Sequence, residues 1–246
     1  MHTPAFISNV FNWKQAAIVA AVLLACASCR NHDAEYDTST NTVIDADAPY
    51  HGIDISSHQR HIDWKLVAAD KNIHFIYIKA TEGATYQSPH YAYNVTMAHQ
   101  AGVPVGSYHY LKTTSSINEQ FHNFTRTAVL TSQDLIPMID VETRGSWSRQ
   151  QLNDSVALLA RLLEEHYGRT PMIYSTMEFY NENLAPRFNK FPLYIARYSS
   201  QQPSINWEGQ VTLWQFSDEG IIPGIDAYVD LSRFVDGHDM SSILLN

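Results

Sequence analysis

Short apolar runs rich in Ile, Val, Tyr and Phe recur along the chain from residue 51, each closing on polar or charged side chains. They are 51–55 (HGIDI), 74–80 (HFIYIKA), 103–111 (VPVGSYHYL), 135–142 (LIPMIDVE), 170–176 (TPMIYST), 192–198 (PLYIARY), 211–217 (VTLWQFS) and 227–234 (AYVDLSRF). β-Branched and aromatic residues concentrated over spans this short predict eight strands. Segments with helical periodicity separate the first five. The clearest covers 148–168, where Leu152, Val156, Leu159 and Leu163 share a face and Gly168 can cap the end. The links between the last three strands are shorter and less helical. Repeated β–helix–β units imply right-handed crossovers and a parallel sheet; eight such strands imply a closed α/β barrel with its helices thinned out in the last third.

The chain before residue 50 is of another kind. Lys14 precedes an apolar run, 16–25, that is too short to span a bilayer comfortably and ends in small residues, as a secretion signal does. The run closes with Leu24-Ala25-Cys26-Ala27-Ser28-Cys29, which resembles a lipobox, and Cys29, preceded by two small residues, fits lipidation better than Cys26. A plain cleaved signal and an uncleaved anchor are the alternatives, and all three export the domain. Residues 30–49 are polar, acidic and poor in large apolar side chains, the composition of a flexible tether. The expected organisation is a lipoprotein-type signal over 1–29, a tether over 30–49 and one folded domain over 50–246. The expected location is the bacterial cell envelope, with the chain held to a membrane by an N-terminal lipid. No cysteine follows Cys29, so the folded part has no disulfide and depends on its core.

A formal net charge of -9 argues against nucleic acid as a partner, since phosphate neutralisation favours a basic stripe and no Lys/Arg cluster is present. Fourteen tyrosines and five tryptophans fit a carbohydrate ligand as well as an ordinary core. Position decides between these readings. Polar residues gather toward the ends of the apolar strands: Asp54; Lys79 and Glu82; Tyr108 and Tyr110; Asp140 and Glu142; Tyr174; Arg197 and Tyr198; Gln215; and Asp230. In parallel barrels that rim carries the active site. Asp140 and Glu142 stand two apart on one strand and so face the same way. Two carboxylates this close resist simultaneous ionisation, which leaves an acid beside a base, as glycosidic cleavage requires. Barrel closure would bring Asp54 and Asp230 to the same pocket.

Ordered motifs carry a resemblance. Gly52-Ile53-Asp54-Ile55-Ser56-Ser57-His58-Gln59 with Ile62-Asp63-Trp64 follows a D-x-S-x-x-Q opening. After it come 76–83 (IYIKATEG), 106–110 (GSYHY), the Asp140-Val141-Glu142 pair, 213–216 (LWQF) and 229–232 (VDLS). Over about residues 51–237 the chain resembles the glycoside hydrolase family 25 lysozymes. The resemblance implies a modified TIM-like barrel of (β/α)5(β)3 type. It also implies N-acetylmuramidase activity on peptidoglycan glycan strands, with no metal or organic cofactor. Glu142 then becomes the general acid and base. Asp140 orients the substrate's 2-acetamido group for neighbouring-group attack, direct attack by an aspartate remaining the alternative, and Asp54 and Asp230 support the pair. Tyr77, Lys79, Glu82, Tyr108, Tyr110, Tyr174, Arg197, Tyr198, Trp214 and Gln215 become candidate substrate contacts. Nothing in the sequence points to an obligate protein partner. Two rival readings are a metal-dependent hydrolase, which lacks an H-x-H or H-E-x-x-H motif, and a wall-binding lipoprotein without turnover, against which the retained Asp140 and Glu142 weigh.

Overall fold

Strand β1 (Gly52–Ile55) is buried at every position and pairs in parallel with β2 (Phe75–Glu82), starting a sheet that closes on itself. The computed structural model describes residues 49–235 and 237–246; the expected signal segment with Cys29, and residues 30–48 of the expected tether, lie outside the described residues. From β2 the sheet continues in parallel through β4 (Val105–Tyr110), β5 (Met138–Asp140), β6 (Met172–Thr176), β7 (Leu193–Ala196) and β8 (Leu213–Gly220). The last strand, β9 (Val229–Phe234), pairs with both β8 and β1 and completes an eight-stranded barrel. A two-residue strand, β3 (Tyr86–Gln87), folds back on the end of β2 and stands outside the ring.

One expectation is corrected. Strand β9 runs antiparallel to both neighbours, so the barrel is mixed rather than wholly parallel. The link from β8 is a hairpin, too short for the crossover of about a dozen residues that a parallel return needs. Asp230 therefore reaches the functional rim from the beginning of its strand rather than from its end.

Helices follow the first five barrel strands: α1 (Trp64–Val67), α2 (Tyr91–Gln100), α3 (Ile117–Thr127), α4 (Arg149–Tyr167) and α5 (Met177–Phe179), which runs into a π turn. Helix α4 forms as its sequence requires. Ser148 caps it in a reciprocal box with Gln151, Gly168 ends it at φ 79°, and Leu152, Val156, Leu159 and Leu163 are buried. The core is continuous around and within the barrel. Inside, Phe75, Tyr77, Tyr194 and Tyr174 form a chain of aromatic contacts with centroids 5.3–6.2 Å apart. Room for this layer comes from two glycines: a Cβ on Gly52 would lie 2.4 Å from the Phe75 ring, and one on Gly106 would lie 2.3 Å from Tyr77. Each fully buried large apolar side chain contributes roughly 1.5–3 kcal/mol. The aromatic layer is thus a floor for the rim above it.

Candidate active site

Nine residues from seven strands or their ends line a cavity of about 160 Å³ at the rim: Asp54, Tyr108, Met138, Asp140, Glu142, Tyr174, Tyr198, Gln215 and Asp230. Strand register explains their meeting. Asp54 pairs with Asp230 across β1 and β9, and Asp140 lies between Tyr110 on β4 and Tyr174 on β6. Asp140 is 6% exposed, whereas Glu142, two residues beyond it, is half-buried at the mouth.

A hydrogen-bond chain crosses the barrel beneath these groups. Gln215 Oε1 accepts from the hydroxyls of Tyr174 at 2.8 Å and Tyr198 at 3.0 Å, so its amide nitrogen turns to Asp54 and donates to Oδ2 at 3.0 Å. The Tyr194 hydroxyl also donates to Asp54 Oδ2 and bonds Ser232. The other oxygens, Asp54 Oδ1 and Asp140 Oδ1, are buried without a hydrogen-bond partner.

Burial dominates the electrostatics. It pushes Asp54 up to about 8, with repulsion from Asp230 adding to it and the bonds from Tyr194 and Gln215 opposing it. Burial and then the neighbouring Glu142 raise Asp140 well above the usual carboxylate range, against the pull of Lys79. Glu142 is raised by burial, while Lys79 and a hydrogen bond from Tyr110 work the other way. Asp230 rises to about 6 through burial, Asp218 and Glu142. Four carboxyl groups so placed cannot all ionise at neutral pH, and the site therefore holds a proton donor beside an acceptor.

Lys79 and Glu82 sit together at the end of β2. Lys79 Nζ lies 2.8 Å from Glu82 Oε2 and 4.9 Å from the centre of the Tyr110 ring. Three expected substrate contacts are placed elsewhere. Tyr77 is wholly buried in the aromatic floor, its hydroxyl donating to the Ile136 carbonyl at 3.1 Å. Trp214 stands on the face of β8 opposite Gln215, because side chains alternate along a strand; its indole N–H donates to the Arg197 carbonyl at 2.8 Å. The Arg197 guanidinium is engaged in its own loop, on the Gln202 carbonyl and Gln201 Oε1. Conversely, Tyr194 and Ser232 support Asp54 from below, and Lys112 pairs with Glu82. The alternation in 192–198 was the available signal for Tyr194, two residues before Ala196 on the inward face.

The comparisons with known proteins agree with this geometry. The family model described as glycosyl hydrolases family 25 matches residues 53–225, a span that holds Asp54, Asp140 and Glu142. The uncharacterized protein YegX of Escherichia coli K12 is 34% identical over 198 residues, covering 78% of this chain and 71% of its own length. The autolytic lysozyme of Clostridium acetobutylicum is 34% identical over 186 residues, covering 76% of this chain and 56% of the relative. Among solved structures, a family 25 glycosyl hydrolase from Bacillus anthracis superposes with a TM-score of 0.71 at 28% identity, covering 78% of this chain and 91% of the other. With a matching barrel and a matched span running from β1 through β8, this chain belongs to glycosyl hydrolases family 25 and is a glycoside hydrolase.

Proposed function

We propose that the chain is a lysozyme that hydrolyses the β-1,4 bond between N-acetylmuramic acid and N-acetylglucosamine in peptidoglycan, with retention at the anomeric carbon. The observation that carries this reading is the inequality of the two neighbouring carboxyls: Glu142 half-exposed at the mouth, Asp140 buried below it with a partnerless oxygen. The group at the mouth is the one that can reach a glycosidic oxygen. The buried one suits an N–H donor, such as that of a 2-acetamido group. Named relatives that are lysozymes or diacetylmuramidases support the substrate class.

In the proposed reaction the acetamido carbonyl oxygen bonds to C1 as the glycosidic C–O bond breaks, and the Glu142 proton goes to the departing oxygen. Water then adds at C1, losing its proton to Glu142, and the cyclic intermediate reopens to the acetamide. An N–H donated to Asp140 would favour its anion and leave the shared proton on Glu142. Asp54 adds to the raised proton affinity of Asp140. A cavity of about 160 Å³ is small beside the roughly 300–1,000 Å³ that encloses a whole ligand, so it fits one portion of a longer chain lying across the rim.

Attachment through lipid at Cys29 is part of the proposal. The described chain enters at Pro49, whose carbonyl accepts from Arg233 on β9. Fatty-acid labelling that is lost in Cys29→Ser tests the anchor. For the chemistry, proton NMR of the first-formed product tests retention against inversion, and a mimic of the cyclic intermediate tests acetamido participation. The β-anomer together with inhibition by a thiazoline mimic of the cyclic intermediate is expected; the α-anomer would overturn retention.

A further inference from the structure

We propose that the tip of the β8–β9 hairpin, residues 221–228, is a second sugar subsite beside the catalytic cavity, with the Tyr228 ring as platform for a neutral N-acetylglucosamine of the same glycan strand. This rests on the reading of the cavity as the place where that strand is cut.

The tip is a fixed part of the rim. Ile225 bridges to Ile62, and the Gly224 carbonyl accepts from the Asp63 N–H at 2.8 Å. Gly224 sits at φ +94°, and a Cβ there would lie 2.5 Å from the Asp63 carbonyl oxygen, so this close approach requires glycine. Ile222 and Ile225 are buried beneath. Gln59, the last residue of the D-x-S-x-x-Q opening, holds the other end of the tip. Its Oε1 accepts from the Ser56 N–H at 2.7 Å, and its amide nitrogen donates to the Tyr228 carbonyl at 2.8 Å. The glutamine of the motif thus fixes the hairpin.

What this anchored tip presents outward is apolar. Ile221 is 79% exposed and Tyr228 61%, and with Ile225, Asp226 and Ala227 they line a pocket of about 380 Å³. Large apolar side chains on a segment tied down at both ends cannot retreat from water, and grouped exposure of this kind marks a contact surface. The strand that leaves the tip places the pocket beside the catalytic cavity. Tyr228 stands two residues before Asp230, which lines that cavity, and two residues of chain reach at most about 7 Å.

Continuity with the cavity names the occupant. A space of about 160 Å³ takes one portion of a glycan strand, so the neighbouring sugars lie over the adjoining rim. The Tyr228 ring suits the C–H face of a pyranose, Ile221 and Ala227 suit the methyl of its acetamido group, and the exposed Asp226 carboxylate accepts from its hydroxyls. Asp226 is the charged member of this lining. It repels an acidic substituent, which favours N-acetylglucosamine over muramic acid with its lactyl carboxylate or acidic peptide.

The test compares kcat/KM of the full-length chain on a long oligomer of the alternating glycan and on the shortest oligomer it cuts. The variants are Tyr228→Ala, Tyr228→Phe and Ile221→Ser. Tyr228→Ala is expected to lower kcat/KM on the long oligomer about tenfold, the scale of one lost stacking contact, and to leave the short one within about twofold. Tyr228→Phe keeps the ring and is expected to match wild type, with Ile221→Ser falling between the two. Wild-type efficiency of Tyr228→Ala on the long oligomer would overturn the subsite. Equal losses on both lengths would overturn it too, because the substitution would then act through Gln59 or Asp230. Titration of Glu142→Gln, with and without Tyr228→Ala, separates the subsite from the reading on which it rests. Tighter binding of the long oligomer that vanishes with Tyr228→Ala is expected, and equal binding of both lengths would overturn the subsite. Undiminished turnover by Glu142→Gln, or none by wild type, would instead overturn the reading of the cavity.

Discussion

Gln215 and Asp54, 161 residues apart in sequence, meet across the barrel: the glutamine amide donates to the aspartate Oδ2 at 3.0 Å while its own oxygen accepts from Tyr174 and Tyr198. That single amide joins two cavity-lining tyrosines to the most deeply buried acid of the first strand. In Gln215→Met both tyrosine hydroxyls lose their acceptor and Asp54 loses a donor. Leaving such groups unsatisfied costs about 1–3 kcal/mol. Urea unfolding should show a lower midpoint and turnover should fall; a variant with wild-type stability would mean the chain of bonds is not formed.

Asp54 also links stability to pH. Its proton affinity in the folded chain is raised to about 8, against roughly 3.9 for a free aspartate. Between those values the folded state binds more proton than the unfolded state. The contribution of this group is therefore complete below about pH 4 and is lost as pH rises through about 8. Asp54→Asn keeps the oxygen that Tyr194 and Gln215 address and removes the loss. Its unfolding midpoint is expected to match wild type at pH 4 and exceed it at pH 8, with reduced turnover, a trade between stability and activity. Parallel pH curves for the two proteins would show that Asp54 is ionised throughout.

Gly106→Ala tests the floor of the site. The added carbon would fall 2.3 Å from a Tyr77 ring that is wholly buried and cannot retreat. Overpacking of this kind costs about 1–3 kcal/mol, and in a domain this size each kcal/mol lowers the thermal midpoint by about 2–4 °C. An unchanged midpoint with weakened substrate binding would return Tyr77 to the substrate.

Much of this site could be read from the chain because buried strands tolerate polar residues poorly. Asp54, Asp140, Glu142, Tyr108, Tyr174, Gln215 and Asp230 each interrupt an apolar run, and the structure gathers all seven around one cavity. Trp214 and Arg197 do not line the cavity, and each directly precedes a residue that does, Gln215 and Tyr198. Gln215 and Trp214 are adjacent, and alternation allows only one of them to face inward. Tyr77 lies in the floor because a tyrosine two residues short of the rim points the same way as a residue at the rim but sits a layer deeper. The direction of the last strand was hidden because alternation reads the same in either sense. The nine residues between the runs 211–217 and 227–234 were the overlooked signal, since they are too few for a crossover. Lys112 could not be placed without the structure, because only the fold, through Gly83 and Gln120, brings it to Glu82 and Tyr110.

The central claim is that Glu142 cleaves the bond on the muramic acid side, and its most direct test is release of soluble fragments from purified peptidoglycan by the full-length chain and by Glu142→Gln, with the new reducing ends identified by mass spectrometry. General acid–base catalysis is worth about 10²–10⁴-fold, so the variant should lose at least that much. Reducing-end muramic acid from wild type, and almost none from the variant, is the expected result. Reducing-end glucosamine, or equal release by Glu142→Gln, would contradict it.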